Sequence, residues 1–469
     1  MVYYAIEPPE PWGNIRGKPY ITVSAKGIAN GLSDIPNDGA DFGPDTPGTQ
    51  TSGIQEAWDY ASVHGGKVLL VGNFFISVPL VLRSSYINMD IEGVNGNGSA
   101  GGTQIYLADN FDTTYQYMLD YELQGNLIWN NIRLTPFNQS GTVKINYVMQ
   151  MNATHNSTSP SYFTNGTWDA PVIAHIYQAG VVGGRIKWEN ITFNGGAQYF
   201  LYSTYPNSYF TFYECQPSNT IYVNLSTGGT WAAEFIHCNT PYLHSNNTSP
   251  NLSGGSSGII YLRFIGDGPI LSGTAQIGNN VNIYVENGRI SQYAGANWFN
   301  VQGTNFRLYL RDGYINMSAG TSGSTYYFIT AQSGASGLVE IENITGNNLT
   351  GVTLLPTNSS LVPVSIVNST QPTMSDGLYP TATYNGPTAG TVTVTGFKYG
   401  KWMRWIFYFN NWENNTPNPV NIYYPIPFST VEFIIVNFPG LQLQQQPAYL
   451  TVITANSTTL YTGYVIVEG

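Results

Sequence analysis

Short runs of alternating apolar and polar residues recur along most of this chain, and each run ends in turn-forming residues. Four of these runs align well, within residues 260–268, 281–288, 305–313 and 337–346, and their turns are about 20 to 25 residues apart. Strict alternation indicates half-buried β-strands, and a loose period of this length fits coils that each pack on their neighbours. The pattern therefore predicts an all-β solenoid.

One segment carries a helical period instead. Ile54, Ala57, Trp58 and Ala61 fall on one face of a helix predicted within residues 51–63, and Gly65-Gly66 follow as a stop before an apolar strand. This order of turn, helix and strand over residues 37–82 resembles the entry of the pectate-lyase-like superfamily. The resemblance implies a right-handed parallel β-helix whose N-terminal end is capped by the helix. Enzymes, adhesins and viral spikes share this entry, so it indicates the fold and not the chemistry.

The pattern also predicts where the chain divides. Residues 1–20 are proline-rich, lack the apolar segment of a signal peptide and read as an extended arm. Residues 21–368 form the capped β-helix, and residues 369–390 form a Pro/Gly/Thr-rich linker. Residues 391–469 have the longer alternating strands of an antiparallel β-sandwich. No run approaches the roughly 18 apolar residues that a membrane span requires.

The C-terminal segment brings a second resemblance. It combines an aromatic strand, an Asn/Thr-rich turn, the segment Tyr424-Pro425-Ile426-Pro427-Phe428 and a closing apolar strand. In these features it resembles the C-terminal modules of tail-fibre and spike proteins from viruses of hyperthermophilic, acidophilic archaea. The resemblance implies a homotrimer on the virion surface that attaches to a host cell-surface glycan or glycoprotein. We expect residues 1–20 to contact other virion proteins.

Charge is sparse and acidic. The chain has 16 basic and 27 acidic residues, a net charge of -11 and only 9% charged residues. A basic nucleic-acid footprint is therefore absent, and nucleic acid is not an expected partner. Side chains of Asn, Thr, Ser and Tyr keep their hydrogen bonding in acid, which suits an acidic exterior. The same composition is common in β-helix and fibre proteins, so both interpretations stay open.

Sugar binding and glycosylation have their own candidate residues. Exposed aromatic rings stack on sugars while amide and carboxylate groups supply directed hydrogen bonds. The candidates for stacking, each of which can equally be a core residue, are Tyr162, Trp168, Trp231, Trp298, Trp402 and Trp412. The N-x-S/T triplets predicted to accept glycans in an exported protein are at Asn138, Asn152, Asn156, Asn165, Asn224, Asn247, Asn316, Asn348, Asn368, Asn414 and Asn456.

A polysaccharide-degrading hydrolase or lyase on the same scaffold is the main alternative. Two carboxylates about 5 Å or about 6.5–9.5 Å apart suit retaining or inverting hydrolysis, and rungs about 4.8 Å apart allow such pairs. The candidate acids are Asp267, Glu286, Asp312 and Glu342, which can equally be turn or strand-end residues. The Asn-Thr-Asp, Asp-Asp and Gly-His-Gly motifs of polygalacturonase-like members are absent, so binding is favoured over catalysis. A structural capsid or surface-layer role is the third alternative.

Cysteine and histidine spacing predicts neither a metal site nor a cofactor. Cys215 and Cys238 are separated by about one coil, so a disulfide between adjacent coils and two buried thiols both remain open. The histidines show no metal-ligand spacing, and the glycine-rich segments lack the helix of a phosphate loop.

Overall fold

The computed structural model describes two compact units, which comprise residues 1–243 with 251–270 and residues 244–250 with 271–469. The described residues are 20–25, 40–46, 48–94, 103–152, 161–180, 185–239, 242–243, 248–266, 268–317, 326–347, 352–353, 362, 364–367, 382–385, 389–399, 402–414, 420–423, 433–437, 442–445, 449–453 and 457–468.

The first unit consists of parallel strands with one helix near their start, α1 (Ile54–His64). Its strands are β1 (Tyr20–Ser24), β2 (Lys67–Val71), β3 (Asn73–Ile76), β4 (Leu80–Leu82), β5 (Asn88–Gly93), β6 (Gln104–Leu107), β7 (Tyr117–Tyr121), β8 (Asn126–Asn130), β9 (Arg133–Thr135), β10 (Tyr147–Met151), β11 (Ser161–Trp168), β12 (Ala174–Gln178), β13 (Arg185–Phe193), β14 (Tyr199–Ser203), β15 (Ser208–Tyr213), β16 (Thr220–Asn224), β17 (Gly229–Ile236), β18 (Leu252–Ser253) and β19 (Gly258–Ile265).

These strands stack coil upon coil in three parallel rows. The first row runs β1–β2–β5–β8–β11–β13–β15–β17–β19. The second row, β3–β6–β9, merges with the first where β11 pairs with both β8 and β9. The third row runs β4–β7–β10–β12–β14–β16–β18. The prediction of a mostly β chain with long parallel sheets of β-helix type is confirmed, whereas its handedness stays a prediction.

Left-handed residues turn the chain at one corner of each coil. Asn131, Asn165 and Asn190 have φ of 57°, 51° and 53°, and Glu214 and His237 repeat this conformation in the next coils. Asparagine tolerates it better than most residues. Its amide also joins neighbouring coils, because Asn190 Nδ2 donates to Asn165 Oδ1 at 2.8 Å. The abundance of Asn in this chain is thus partly a requirement of the coil corners.

Stacked aromatic rings form the centre of the first unit. Phe163, Trp188, Phe212, Phe235 and Phe264 occupy equivalent positions on successive strands of the first row. Their ring centroids are 5.7, 4.8, 4.9 and 5.1 Å apart, with interplanar angles of 11° to 15°. The one-coil repeat places identical environments above one another, so large rings fill the interior as a continuous column.

Helix α1 covers the N-terminal end of this core. Ile54, Ala57, Trp58 and Ala61 are buried, as their spacing predicts, and the Trp58 ring meets Trp129 edge-on at 5.7 Å. Left-handed Gly53 is the N-cap, and Gly65 ends the helix. The helix also holds the third row, because Gln55 bonds both backbone groups of Val81.

The second unit begins with parallel strands and continues with antiparallel ones. β20 (Ile270–Leu271) connects the units in sequence, and the further strands are β21 (Ala275–Ile277), β22 (Val281–Glu286), β23 (Arg289–Gln292), β24 (Phe299–Val301), β25 (Phe306–Met317), β26 (Tyr326–Tyr327), β27 (Ile329–Ala331), β28 (Gly337–Asn347), β29 (Val352–Thr353), β30 (Val364–Val367), β31 (Ala382–Asn385), β32 (Ala389–Tyr399), β33 (Trp402–Asn414), β34 (Val420–Tyr423), β35 (Phe433–Asn437), β36 (Gln442–Gln445), β37 (Tyr449–Ile453) and β38 (Ser457–Glu468).

Pairing within the second unit changes direction after β30. Parallel rows β22–β25–β28–β30 and β21–β24–β27 continue the coil pattern. Beyond them, β31–β32–β33–β38–β35 and β34–β37–β36 pair antiparallel in two sheets. A sandwich of these two sheets stays a prediction, as do the domain boundaries. Among the described residues, no helix is long and apolar enough to cross a membrane.

Candidate functional site

Six tyrosines point outward from the third row of the first unit and form what we call the tyrosine face. In the register of the sheet, Tyr177 lies beside Tyr202, which lies beside Tyr222. One end of the row continues this surface, since Tyr117 lies beside Tyr147. All six rings are half-buried, so each keeps an accessible side; the members are Tyr117, Tyr147, Tyr177, Tyr199, Tyr202 and Tyr222.

The rings pack against each other as a nearly continuous platform. The ring centroids of Tyr147 and Tyr177 are 4.2 Å apart at 19°, and those of Tyr202 and Tyr222 are 4.8 Å apart at 5°. Tyr199 closes on Tyr222 at 5.2 Å. Burial raises the pKa of Tyr147, Tyr177, Tyr199 and Tyr202, so their hydroxyl groups stay neutral. The platform thus combines apolar ring surface with neutral hydrogen-bonding groups.

Strand alternation places Tyr177, Tyr202 and Tyr222 on this surface. Their neighbours Ile176, Leu201 and Ile221 point to the other side of the same strands and are buried. Adjacent outward positions on paired strands are close enough for aromatic side chains to stabilise each other, which favours tyrosine at half-buried sites. Burial of the apolar side chains sets the register between neighbouring strands, and this register sets the distance between the tyrosine rings on the opposite side.

An acidic group marks the N-terminal end of the tyrosine face. Asp120 lies beside Gln150 in the sheet and is only 6% exposed, and Asn152 Nδ2 donates to its two oxygens at 3.0 and 3.3 Å. Burial, and then the charge of Glu122, raise the pKa of Asp120 to about 6, against opposing hydrogen bonds from Tyr117 and Asn152. Burial also raises the pKa of Tyr117 to about 12, and Asp120 adds to that shift. Asp120 thus exchanges its proton near neutral pH.

A cleft of about 290 Å³ opens beside this end, and we call it the end cleft. Its lining combines apolar and polar side chains and includes Glu56, Tyr115 and Tyr117, so Tyr117 belongs to both the cleft and the tyrosine face. The described residues that line it are Gly48, Gln50, Thr51, Gln55, Glu56, Val78, Pro79, Val81, Arg83, Tyr115 and Tyr117.

The structure corrects three of the six aromatic residues predicted to bind sugar. Trp168, Trp231 and Trp298 are fully buried, and a ring without exposed surface cannot stack on a sugar. Tyr162 is 37% exposed on β11, in the first row and not on the tyrosine face. Trp402 and Trp412 lie in β33, and their side chains are outside the described part of the structure.

The three predicted carboxylates that the structure describes do not form one catalytic column. Glu286 and Glu342 occupy equivalent positions, but Arg311 lies between them in the register and pairs with Glu342 at 2.9 Å. Asp312 belongs to a coil corner, with a left-handed φ of 54°, and accepts a hydrogen bond from Asn343 Nδ2 at 2.9 Å. These contacts are structural, and Asp267 lies outside the described residues.

The predicted glycan acceptors differ in how accessible their amides are. Asn138 is buried and its Nδ2 bonds Asp109 at 2.7 Å, while the Asn165 Nδ2 bonds Asn130 in the corner ladder at 3.0 Å. Burial argues against a glycan at Asn138, whereas Asn165 is exposed and stays a predicted acceptor. Asn152 and Asn224 are exposed, although Asn152 bonds Asp120, and Asn316 is half-buried. Only the backbone of Asn414 is described, and Asn156, Asn247, Asn348, Asn368 and Asn456 lie outside the described residues.

Cys215 and Cys238 are free, buried thiols. They follow paired strands at equivalent positions of adjacent coils, and the Cys238 thiol donates to the carbonyl of Phe212 at 3.2 Å. Burial, reinforced by Cys238, raises the pKa of Cys215 well above its usual value. Within the described chain, no cluster of His, Cys, Asp or Glu side chains could hold a metal ion.

Sequence reasoning missed the tyrosine face because it weighed single aromatic residues in loops. The available signal was the recurrence of tyrosine at intervals of about one coil, in segments 117–121, 147–151, 174–178, 199–203 and 220–224. Comparison of these segments in register identifies a shared surface, which no single segment can do.

Comparisons with known proteins give distant matches only. No protein-family model and no curated protein matches this chain. The Dettilon tailspike protein, known from a crystal structure, is 12% identical in sequence to this chain. The match covers 89% of this chain and 90% of the tailspike chain, with a TM-score of 0.26. The enzymatically active domain of tailspike protein 4 from bacteriophage CBA120 is 10% identical in sequence. That match covers 93% of this chain and 66% of the tailspike chain, with a TM-score of 0.38. Structural similarity this distant does not indicate a function for this chain.

Proposed function

We propose that this protein is a virion-surface spike that attaches to neutral glycans of the host envelope through the tyrosine face. The observation that carries the proposal is the packed row of half-exposed tyrosine rings on one sheet. Sugar rings stack on such aromatic surfaces, and the neutral hydroxyl groups at their edges supply hydrogen bonds. The virion location, the homotrimer and the anchoring role of residues 1–20 are proposed from the sequence resemblances.

The charges around the face indicate which glycans it suits. Asp120 and Glu122 lie at its end, and the whole chain carries a net charge of -11. Acidic sugars would meet repulsion from these carboxylates, whereas neutral sugars would not. Repeated tyrosines also suit a repeating polymer, and several weak contacts per spike and per particle add up through effective concentration.

Replacing Tyr202 by alanine should weaken glycan binding by about 5- to 30-fold, because a buried aromatic contact is worth about 1 to 2 kcal/mol. Tyr202 is the best choice because its ring stacks on Tyr222 and also adjoins Tyr177. The measurement is binding of the full chain to an array of linear neutral and acidic hexasaccharides. Tyr202→Phe keeps the ring and should retain most of the affinity.

The matched control is Tyr209→Ala, which removes an exposed tyrosine from β15 in the first row. It should bind as the unmodified protein does, and melting temperatures should show that both variants are folded. Equal binding by Tyr202→Ala and Tyr209→Ala would contradict the proposal. Absence of binding to every printed sugar would favour the structural capsid or surface-layer role instead.

A second candidate function, hydrolysis of the bound glycan, is favoured by the state of Asp120. Glu122 follows the last residue of β7, and its charge raises the pKa of Asp120, so the two carboxylates lie near each other, as glycoside hydrolysis requires of its acid pair. A pKa of about 6 suits a general acid. Asp120 would protonate the leaving oxygen as the anomeric C–O bond breaks, while Glu122 takes a proton from the water that attacks the anomeric carbon.

New reducing ends in the incubated array sugars would reveal this hydrolysis. Asp120→Asn should abolish their release, whereas Glu286→Gln, which changes an acid in the second unit, should leave it intact. NMR of the first product should show inversion at the anomeric carbon. Binding without any release of reducing ends would refute hydrolysis and leave the attachment proposal intact.

A further inference from the structure

The end cleft differs from the tyrosine face in shape and in chemistry. The face is a surface along a strand row, whereas the cleft is a recess between the start of α1, the turn before β4 and the segment before β7. Tyr117 is shared by the two, and its ring meets that of Tyr115 edge-on at 6.1 Å. A polymer lying along the face therefore reaches the cleft at Tyr117.

The carboxylate in the cleft is held in place. The hydroxyl groups of Thr49 and Thr51 donate to the same Glu56 oxygen, Oε2, at 3.0 and 3.2 Å. This orients the Glu56 side chain before any ligand binds, which lowers the entropic cost of binding. An oriented carboxylate accepts hydrogen bonds from adjacent sugar hydroxyl groups.

The cation of the cleft is already engaged. Arg83 Nε donates to Asp59 Oδ1 at 2.9 Å, and Tyr86 also bonds Asp59. Among the described residues that line the cleft, Arg83 is the one cation, and it is already paired with Asp59, so this part of the lining offers an acidic sugar no free positive charge. The lining suits an uncharged ring that presents hydroxyl groups to Glu56 and an apolar side to Val78, Pro79 and Tyr115.

The volume sets the size of the ligand. About 290 Å³ lies at the lower end of the range for small-molecule sites, roughly 300–1,000 Å³. The recess therefore has room for about one sugar ring and not for a folded oligosaccharide.

We propose that the end cleft binds the terminal ring of a neutral glycan whose following rings lie on the tyrosine face. This inference rests on the proposed attachment function, which it extends from binding a chain to binding a chain by one of its ends. It assigns a recognition role to Glu56 and Tyr115, outside the tyrosine face.

The test uses linear neutral hexasaccharides of glucose, mannose, xylose and N-acetylglucosamine, each printed once through its reducing end and once through its non-reducing end. The full chain should bind a sugar in one orientation at least 10-fold more tightly than in the other, because immobilisation blocks one terminal ring. Tyr115→Ala and Glu56→Gln should each reduce this preference to less than 3-fold. Tyr209→Ala, the control on the first row, should keep it.

The outcomes separate this inference from the function on which it rests. Equal binding in both orientations that Tyr202→Ala still weakens would overturn end recognition but keep the tyrosine face. An orientation preference unchanged in both Tyr115→Ala and Glu56→Gln would also overturn it. Absence of binding in either orientation would overturn both proposals. Because Glu56 bonds two threonines near α1, the melting temperature decides whether Glu56→Gln is folded, and Tyr115→Ala tests the cleft independently of those bonds.

Discussion

Asp169→Ala should lower the free energy of unfolding by about 3 to 5 kcal/mol, the cost of leaving one partner of a buried ion pair alone. Asp169 is 4% exposed and accepts hydrogen bonds from Arg133 Nε at 2.8 Å and Arg133 Nη2 at 3.0 Å. Thr135 Oγ1 and Asn194 Nδ2 donate to it at 2.7 Å each. Arg133 and Thr135 lie on β9, whereas Asp169 follows β11 and Asn194 follows β13, so the carboxylate links three successive coils through hydrogen bonds.

Urea denaturation of the full chain, followed by circular dichroism, measures this loss. The control is Glu234→Ala, which removes the acid of an Arg–carboxylate pair whose two side chains are each more than 40% exposed. Exposed pairs contribute about 0–1 kcal/mol, so this variant should unfold almost as the unmodified protein does. Similar losses for the two variants would show that Asp169 is not a buried tie between coils.

Asp120→Asn should stabilise the protein near pH 7 by up to about 3 kcal/mol and have little effect at pH 4. The folded-state pKa of about 6 lies above the ordinary value of 3.8, because burial disfavours the carboxylate. The folded chain therefore holds this proton more tightly than the unfolded chain does. The stabilisation from Asp120 is fully present below about pH 4 and is lost as pH rises through about 6. An uncharged amide avoids that loss.

The quantity to measure is the difference in unfolding free energy between variant and unmodified protein at pH 4, 5, 6 and 7. The difference is needed because His175 acts in the opposite direction: burial lowers its pKa to about 4, so its protonation destabilises the fold as pH falls. Asp112→Asn changes an exposed acid on the same unit and should give a difference of the opposite sign, because hydrogen bonds from Thr114 lower the pKa of Asp112. A variant-minus-wild-type difference that does not change with pH would disprove the altered titration of Asp120.

Local pattern was enough to predict the elements of this fold. The spacing of Ile54, Ala57, Trp58 and Ala61 predicts which face of α1 is buried, and Gly65 ends the helix as expected. Alternation predicts strands within residues 281–288 and 305–313, and the structure has β22 and β25 there. Turn residues near Asn287 and Asp312 predict the strand ends, although β25 continues past its left-handed Asp312. These features depend on neighbours in the sequence, and such signals are readable without tertiary structure.

The candidate site could not be predicted in the same way. Trp168 and Trp231 look like sugar-binding residues in sequence, yet both are buried in the core, where Trp168 meets Phe163 and Trp231 meets Phe210 edge-on. Tyr177 and Tyr202 look unremarkable alone and become a surface only when β12 lies beside β14. Which side of a strand faces inward depends on the register between coils, and a shift of one residue reverses it.

The sequence by itself determined the all-β class, the capping helix and the coil-like recurrence of strands, because these follow from hydrophobic periodicity and turn chemistry. Tertiary structure alone decided which aromatic residues are exposed, which carboxylates are buried, and where a cleft adjoins a row of rings. Asp120 illustrates the difference. Burial and the charge of Glu122 raise its pKa, and Asn152, which is 32 residues away in the sequence, donates a hydrogen bond to its carboxylate. Burial and proximity of this kind are properties of stacked coils and have no counterpart in any short segment of the chain.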